Sequence, residues 1–296
     1  MRKIIVDEKY NGKNLNRFLL DNFEGLSLNN LNKALRKKDI KVNGKRVNNN
    51  ITIYTGDNIE VYIIDEILYA NKKIDIDIVY EDENIIVVNK PNRIEVTGDN
   101  SLTTLLKKKY NKKIYPCHRL DRNTTGIILF AKNEEALEIL LNKFKNREIE
   151  KHYACMVYGI PKEDSKVLTA YLFKDAKKSF VYISDIPKKG YQKIITQYTV
   201  LKKMENNTAI LDVNLHTGRT HQIRAHLAHI GFPIIGDGKY GIRQINEKFK
   251  ANTQNLCSYL LKFNFTTDSG KLNYLNHREF KIYYNFLSSS QERHIK

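Results

Sequence analysis

Closely spaced cysteines, long apolar runs and a balance of acidic charge are all missing from this 296-residue sequence. The three cysteines, Cys117, Cys155 and Cys257, show none of the spacings of a zinc site or a disulfide framework, which fits a reducing, cytoplasmic setting. The longest apolar runs, such as Gly126 to Ala131, are far too short to span a bilayer, and the opening MRKIIVDEKY has no signal-peptide hydrophobic segment. Neither secretion nor membrane insertion is expected. No repeat of solenoid length and no low-complexity segment is found, which excludes a repeat array.

Acidic residues are outnumbered, 33 against 50 lysines and arginines, and the resulting formal charge of +17 is spread along the chain. An evenly basic protein gains affinity for polyanions by releasing the counterions of phosphates, so nucleic acid is the natural partner class. A generally basic soluble enzyme is the plainer alternative. The length favours one large domain with a small one beside it.

Helical spacing of Leu15, Phe18 and Leu19 is followed by Ser27, a candidate N-cap, before Leu28, Leu31 and Leu35. Alternation at Ile40 and Val42 then leads into Asn43-Gly44, a dipeptide suited to a type I′ turn, and alternation returns at Ile59, Val61 and Ile63. Arg36, Lys37, Lys38, Lys41, Lys45 and Arg46 crowd the junction of second helix and turn. That cluster is either a solvated face or a contact for RNA backbone. Residues 65–77 lack periodicity and are expected to be a linker between a small domain, 1–64, and a larger one, 78–296.

In the larger part, Ile78–Tyr80 and Ile85–Val88 predict strands, and Leu102, Leu105 and Leu106 predict a short helix behind Ser101. A strand over Ile127–Ala131 leads through Asn133 into a helix whose expected apolar stripe is Leu137, Leu140, Leu141 and Phe144. Alternation at Tyr153, Cys155 and Val157, and at Ala209, Leu211, Val213 and Leu215, favours antiparallel strands over a βαβ series. The predicted class is α+β: a small helix and hairpin domain followed by a mixed, largely antiparallel sheet with flanking helices.

The segment His118-Arg119-Leu120-Asp121-Arg122-Asn123-Thr124-Thr125-Gly126 places one carboxylate between two guanidinium groups just before an apolar strand. Neighbouring positive charge favours the ionised carboxylate, available as nucleophile or base, although a structural ion pair has the same composition. The string HRLDRNTTGIILFAKN closely resembles the HRLDxxTSG signature of the RluA family of pseudouridine synthases, with Thr125 in place of the common Ser. Two further blocks carry the resemblance. Glu150 to Gly159 is similar to the family's KxYxAxVxG strand, and Leu215 to Leu227 to its LxTGRTHQIRxHL signature, extended by Pro233-Ile234-Ile235-Gly236-Asp237 and Tyr240-Gly241. The N-terminal stretch from Leu15 to about Ile63, with VNGKRV and TGDNIEV, resembles an S4-type RNA-binding domain.

The resemblance implies Asp121 as the indispensable catalytic residue, Tyr153 as the active-site tyrosine and Arg224 as the basic residue that pairs with the catalytic carboxylate. It also implies RNA insertion by Arg119, whose flat guanidinium could fill the space left by an extracted base or bind phosphate instead. Alternation places Tyr153 on one face with Lys151, Cys155 and Val157, where it could stack on a flipped uracil or lie in the core. Ile223, Leu227 and Ile230 form a helical stripe that Gly231 can end, so Arg224 would project from a rigid support. Arg219 is left between contacting phosphate and bracing the preceding turn. His221, His226 and His229 invite a metal reading, but they lack the HExxH spacing and no Glu or Asp lies among them. Neither a metal nor a cofactor is expected.

Two departures stand out. Where the family carries NKPxG this sequence has Asn89-Lys90-Pro91-Asn92-Arg93, so Arg93 replaces a glycine, and Ile194 stands near a common small residue. The C-terminal fifty residues match only loosely. The implied activity is isomerisation of uridine to pseudouridine in RNA, with large-subunit ribosomal RNA favoured because an S4-like domain precedes the catalytic one. Transfer RNA modification, a non-catalytic RNA-binding or ribosome-assembly protein, and a metal-dependent hydrolase are the other readings. A cytoplasmic monomer is expected, acting on RNA and not on DNA or membranes.

Overall fold

The computed structural model describes residues 1–23, 25–68, 75–98 and 101–286. Its contacts divide the chain into two compact units, Met1–Asp75 and Ile76–Lys296. Of the expected linker, residues 69–74 lie outside the described residues, Asp65–Leu68 forms a helical turn, and Asp77 already begins a strand. The predicted 78–296 domain likewise ends in a stretch, 287–296, outside the described residues.

The first unit runs β1 (Arg2–Ile5), α1 (Leu15–Asn22), α2 (Leu28–Arg36), β2 (Ile40–Val42), β3 (Lys45–Val47), β4 (Asn58–Val61) and α3 (Asp65–Leu68). Its strands form a four-stranded antiparallel sheet in the order β1-β4-β2-β3. The Ser27 hydroxyl accepts the Asn30 N–H and starts α2, a cap worth about 1 kcal/mol. Asn43 and Gly44 both take positive φ, 49° and 77°, as a type I′ hairpin turn requires. Leu15, Phe18, Leu19, Leu31 and Leu35 bury against Ile40, Ile53, Ile59 and Val61, closing a separate small core.

The second unit runs β5 (Asp77–Glu81), β6 (Ile85–Lys90), α4 (Leu102–Tyr110), β7 (Tyr115–Pro116), β8 (Thr125–Ala131), α5 (Glu134–Lys145), β9 (Ile149–Tyr158), β10 (Ser165–Asp175), β11 (Phe180–Ser184), β12 (Gln192–Met204), β13 (Thr208–Leu215), α6 (Gln222–His229), α7 (Arg243–Lys248), β14 (Leu256–Phe263) and β15 (Glu279–Lys281). The strands make one 11-stranded sheet with the path β11-β10-β12-β13-β9-β14-β8-β6-β5, β15 joining β14 and β7 joining β8. Among the described residues its pairings are antiparallel except β14 with β8. That parallel contact sets Ser258 beside Gly126. Gly126 has φ +106°, and a Cβ there would run into the Ser258 carbonyl oxygen, so only glycine lets the two strands approach.

At β6 and β8 the sheet is buried on both faces. Ile86, Val88, Ile128, Phe130, Tyr153, Cys155, Val157, Leu211 and Val213 face one core with α4 and α6, while Ile85, Val87, Ile127 and Leu129 face another under α5. The stripe expected on α5 is corrected in part. Leu140 is buried but Leu141 is 47% exposed, and the buried face is instead completed by Ala136 and Lys143. A lysine is tolerated there because its Nζ donates to Glu148 Oε2 at 2.7 Å and to the Thr267 carbonyl and hydroxyl. Ile194, near the position of a common small residue, is fully buried with Ala170, Leu172 and Ala225, so the sheet packs the larger side chain under α6.

Burial pushes the Glu148 carboxyl up, but bonds from Lys143 and from the Thr267 hydroxyl, with the backbone amides of Thr266 and Thr267, outweigh it and hold it at about 2. A depressed carboxylate contributes stability that is present above its unfolded value, about 4.3, and is lost as pH falls towards 2. Urea midpoints should therefore drop across that window. Glu148→Gln should flatten the drop and lower stability at neutral pH; an unchanged profile would refute this account of the buried pair.

Candidate active site

The loop that carries Asp121 connects β7 to β8 and is pinned from both ends. The Leu129 N–H donates to His118 Nε2 at 3.0 Å, and burial, with Lys151 nearby, pulls that imidazole down to about 3, so His118 is a neutral brace. Further along, Gln254 Nε2 donates to the Thr124 hydroxyl at 2.6 Å and Thr124 N–H to the Asp121 carbonyl at 3.1 Å. Fully buried Lys90 donates to the carbonyls of Pro91, Ile94 and Arg122, tying the loop to the turn after β6. Burial pulls Lys90 to about 8, against the charge of Asp121.

Arg93 sits in that turn with φ 66°, the left-handed region that glycine enters freely and other residues rarely. The turn therefore keeps the backbone a glycine would take, and the Arg93 carbonyl accepts from Arg122 Nε at 3.1 Å. This corrects the pairing expected from the string Arg119-Leu120-Asp121-Arg122. Arg122 bonds the Arg93 carbonyl, and Arg119 is exposed.

The charge partner of Asp121 comes instead from α6, 103 residues away in sequence. Arg224 Nη1 donates to Asp121 Oδ2 at 2.8 Å, while its Nε and Nη2 make a two-pronged contact with Asp237 at 2.7 and 2.9 Å. The Asp237 side chain is wholly inaccessible, and its Oδ1 also accepts the backbone N–H groups of Lys239 and Tyr240. Burial pushes Asp237 up, but the bonds and charge of Arg224 and those two amides hold it below the usual carboxylate range. Burial also works against the Arg224 cation, and Asp237 and then Asp121 more than reverse it. Helix α6 aims this guanidinium because Gln222 staples the helix to β12, donating to the Ile195 carbonyl and Thr196 hydroxyl, and because Ile223 and Leu227 enter the core. Gly231, with φ 88°, follows the helix end as expected.

Tyr153, Asp121 and Arg224 line one cleft of about 250 Å³, together with Lys151 and Ile223. A second cleft, about 610 Å³, shares Arg119, Asp121, His221 and Arg224 with the first and continues to Lys174 and Lys239. Asp121 thus stands where the two meet. Tyr153 is 5% exposed, and burial followed by the charge of Asp121 pushes its phenol up, so its hydroxyl keeps its proton at neutral pH. Arg219 is exposed beside the first cleft, its backbone N–H donating to Gln222 Oε1. The three histidines are spoken for by other groups: His221 by Tyr240, His226 by Thr196 and His229 by Asp185.

The six basic residues of the small unit stay together around the end of α2 and the β2–β3 hairpin. Arg46 donates to the Lys38 carbonyl and Arg36 to the Asn32 carbonyl, and Lys37, Lys38 and Lys45 are exposed. Lys41 differs: it is half-buried, 3.9 Å from Glu60 and over the Tyr62 ring. The sequence reading gave no role to Asp237, Lys90 or Tyr240. The strings holding them, PIIGD, NKP and YG, were visible, but only the fold shows that they converge on Asp121.

The family model for RNA pseudouridylate synthase matches residues 84–229, a span that contains Asp121, Tyr153 and Arg224. A protein of Buchnera aphidicola subsp. Baizongia pistaciae (strain Bp) called ribosomal large subunit pseudouridine synthase C is 30% identical over 288 residues, 91% of each chain. The chain belongs to the RNA pseudouridine synthases. A second synthase C, from Rickettsia bellii (strain RML369-C), is 33% identical over 252 residues, covering 77% of this chain and 82% of the relative. Among solved structures, human RNA pseudouridylate synthase domain containing 1 has the same fold, with a TM-score of 0.57 and 23% identity over 67% of this chain and 82% of that one. This synthase is therefore an isomerase, and its expected α+β fold with a largely antiparallel sheet is what the structure contains.

Truncating Asp237 would leave the Arg224 cation buried with half its partners gone. Asp237→Ala should cost about 3–5 kcal/mol in denaturant unfolding; a loss under about 1 kcal/mol would show that the pair does not organise this part of the protein.

Proposed function

We propose that this synthase converts specific uridines of large-subunit ribosomal RNA to pseudouridine, with Asp121 as the catalytic carboxylate, Tyr153 and Arg224 beside it, and Arg119 entering the RNA stack. The observation that carries the proposal is the position of Asp121: a partly exposed carboxylate at the meeting of two clefts, held through one oxygen by a buried arginine. The ribosomal target follows from the relatives that are named for large-subunit modification.

In the reaction the C1′–N1 bond of uridine breaks, the uracil turns, and a C1′–C5 bond forms. N1 gains a hydrogen and the hydrogen of C5 leaves to solvent, so nothing is oxidised or reduced and no cofactor is consumed. The bond broken is a glycosidic one, and a carboxylate beside the anomeric carbon serves it as in retaining glycosidases, without a second acid to expel an alcohol. Arg224 holds and orients the Asp121 carboxylate through Oδ2. Tyr153, apolar in body and protonated at its tip, offers its ring to the uracil face and its hydroxyl as a donor. Arg119, exposed and lining both clefts, occupies the gap left by the extracted base.

The first unit serves as an S4-type RNA-binding domain, residues 1–64, ahead of the catalytic domain. Its exposed Lys37, Lys38, Lys45, Arg36 and Arg46 meet phosphates, with Lys41 supporting them from its partnered position. The enzyme works in the cytoplasm as a monomer. No helix among the described residues is long and apolar enough to cross a membrane.

Wild-type protein incubated with unmodified ribosomal RNA should produce discrete carbodiimide-dependent primer-extension stops, and Asp121→Ala should lower the rate at least about 10³-fold. Wild-type product in transfer RNA alone would overturn the target; undiminished activity in the variant would overturn the residue. Replacing Lys37, Lys45 and Arg46 with alanine should reduce the slope of log affinity against log salt by about 2–3. An unaltered slope would remove the cluster from the RNA interface.

A further inference from the structure

His221 opens α6 with its backbone in the left-handed region, φ 54°, and its side chain makes no capping bond. A residue other than glycine keeps that conformation only where its surroundings fix it, and such residues gather at functional sites. Here the conformation delivers the imidazole to Asp121 instead of to the helix end: His221 Nε2 lies 3.8 Å from Asp121 Oδ2.

The partner of the other ring nitrogen favours one tautomer. Tyr240 Oη accepts the Val181 N–H at 3.0 Å and lies 2.9 Å from His221 Nδ1. With its oxygen already accepting from Val181, the hydroxyl is free to give its own proton to Nδ1; in that arrangement the single hydrogen of a neutral imidazole sits on Nε2, pointing at the carboxylate. The opposite tautomer would turn a lone pair towards an anion. Burial depresses the imidazole below its ordinary value; Asp121 and Asp237 oppose this, while Arg224 and Lys239 add to it, so the ring is neutral at pH 7. Tyr240 also reaches the other partner of Asp121, since its ring lies 5.3 Å from the Arg224 guanidinium and its N–H bonds Asp237.

Both groups facing Asp121 therefore address the same oxygen, Oδ2, and among the described residues no donor bonds Oδ1. Resting on the reading of Asp121 as the catalytic carboxylate, we infer that His221, fixed as its Nε2–H tautomer by Tyr240, is a positioning residue that holds Oδ2 with Arg224 and leaves Oδ1 to meet the substrate. The contact reaches hydrogen-bond length with a shift of roughly 0.6–0.9 Å, the kind of tightening that accompanies substrate binding.

Release of tritium from RNA carrying 5-tritiated uridine measures the reaction, because C5 loses its hydrogen. His221→Ala should lower kcat by about 10–100-fold with KM within about twofold. His221→Gln, which restores an N–H at a similar reach, should recover part of that loss. Tyr240→Phe keeps the ring over Arg224 but removes the hydroxyl, and should lower kcat several-fold in the wild type and have no further effect on His221→Gln. Asp121→Asn, assayed alongside, separates the two claims. Activity in Asp121→Asn would refute the reading of the site itself. An inactive Asp121→Asn with full activity in His221→Ala, with no recovery in His221→Gln, or with independent, multiplying effects of Tyr240→Phe and His221→Gln, would overturn the role of His221.

Discussion

One ion chain organises the catalytic unit: Asp121 to Arg224 to Asp237. It joins the loop before β8, the face of α6 and the turn after that helix, three segments whose Leu120, Ile223 and Ile234 also enter one core. A buried guanidinium costs several kcal/mol to desolvate, and here two carboxylates and the geometry of the planar fork compensate. Asp237, wholly inaccessible, supplies the anchoring contact. Asp121, at 22% side-chain exposure, supplies the one that faces the two clefts. The asymmetry matters, because a carboxylate sealed on both oxygens could hold the fold together but could not react.

Around this chain the protein stacks fixed supports. The loop of Asp121 is tied by buried Lys90 and by the neutral His118, and α6 is tied by Gln222 to β12. Each support is an uncharged side chain except Lys90, whose three carbonyl partners absorb its charge. A site built on a strand, a helix and a pinned loop needs little rearrangement to present one oxygen in a set direction. Arg93 illustrates the same economy: a residue with a side chain occupies a turn that favours glycine, and the carbonyl it presents to Arg122 is kept.

Local signals in the sequence were reliable wherever the controlling interaction is local. Ser27, Ser101 and Asn133 all cap the helices they precede, Asn43-Gly44 makes its turn, and the alternation of Tyr153, Cys155 and Val157 places all three in one core. What failed depended on distant partners. Arg122 flanks Asp121 in sequence yet bonds elsewhere, because the Asp121–Thr124 turn brings its side chain to the Arg93 carbonyl. Lys143, outside the stripe expected on α5, is buried because Glu148 and Thr267 close over it. The resemblance named Asp121, Tyr153 and Arg224 as a trio, and the fold brings them to one cleft. Asp237 and the His221–Tyr240 contact carry no periodicity or spacing that marks them, so only three-dimensional proximity reveals them.

The most direct test of the account is a crystal structure of the synthase with an RNA oligonucleotide that carries pseudouridine at a modified site. The account predicts the product nucleotide flipped into the cleft beside Tyr153, its C1′ about 3–4 Å from Asp121 Oδ1, with the Arg224 bond to Oδ2 intact. A nucleotide bound away from Asp121, or one whose C1′ faces a carboxylate released from Arg224, would contradict it.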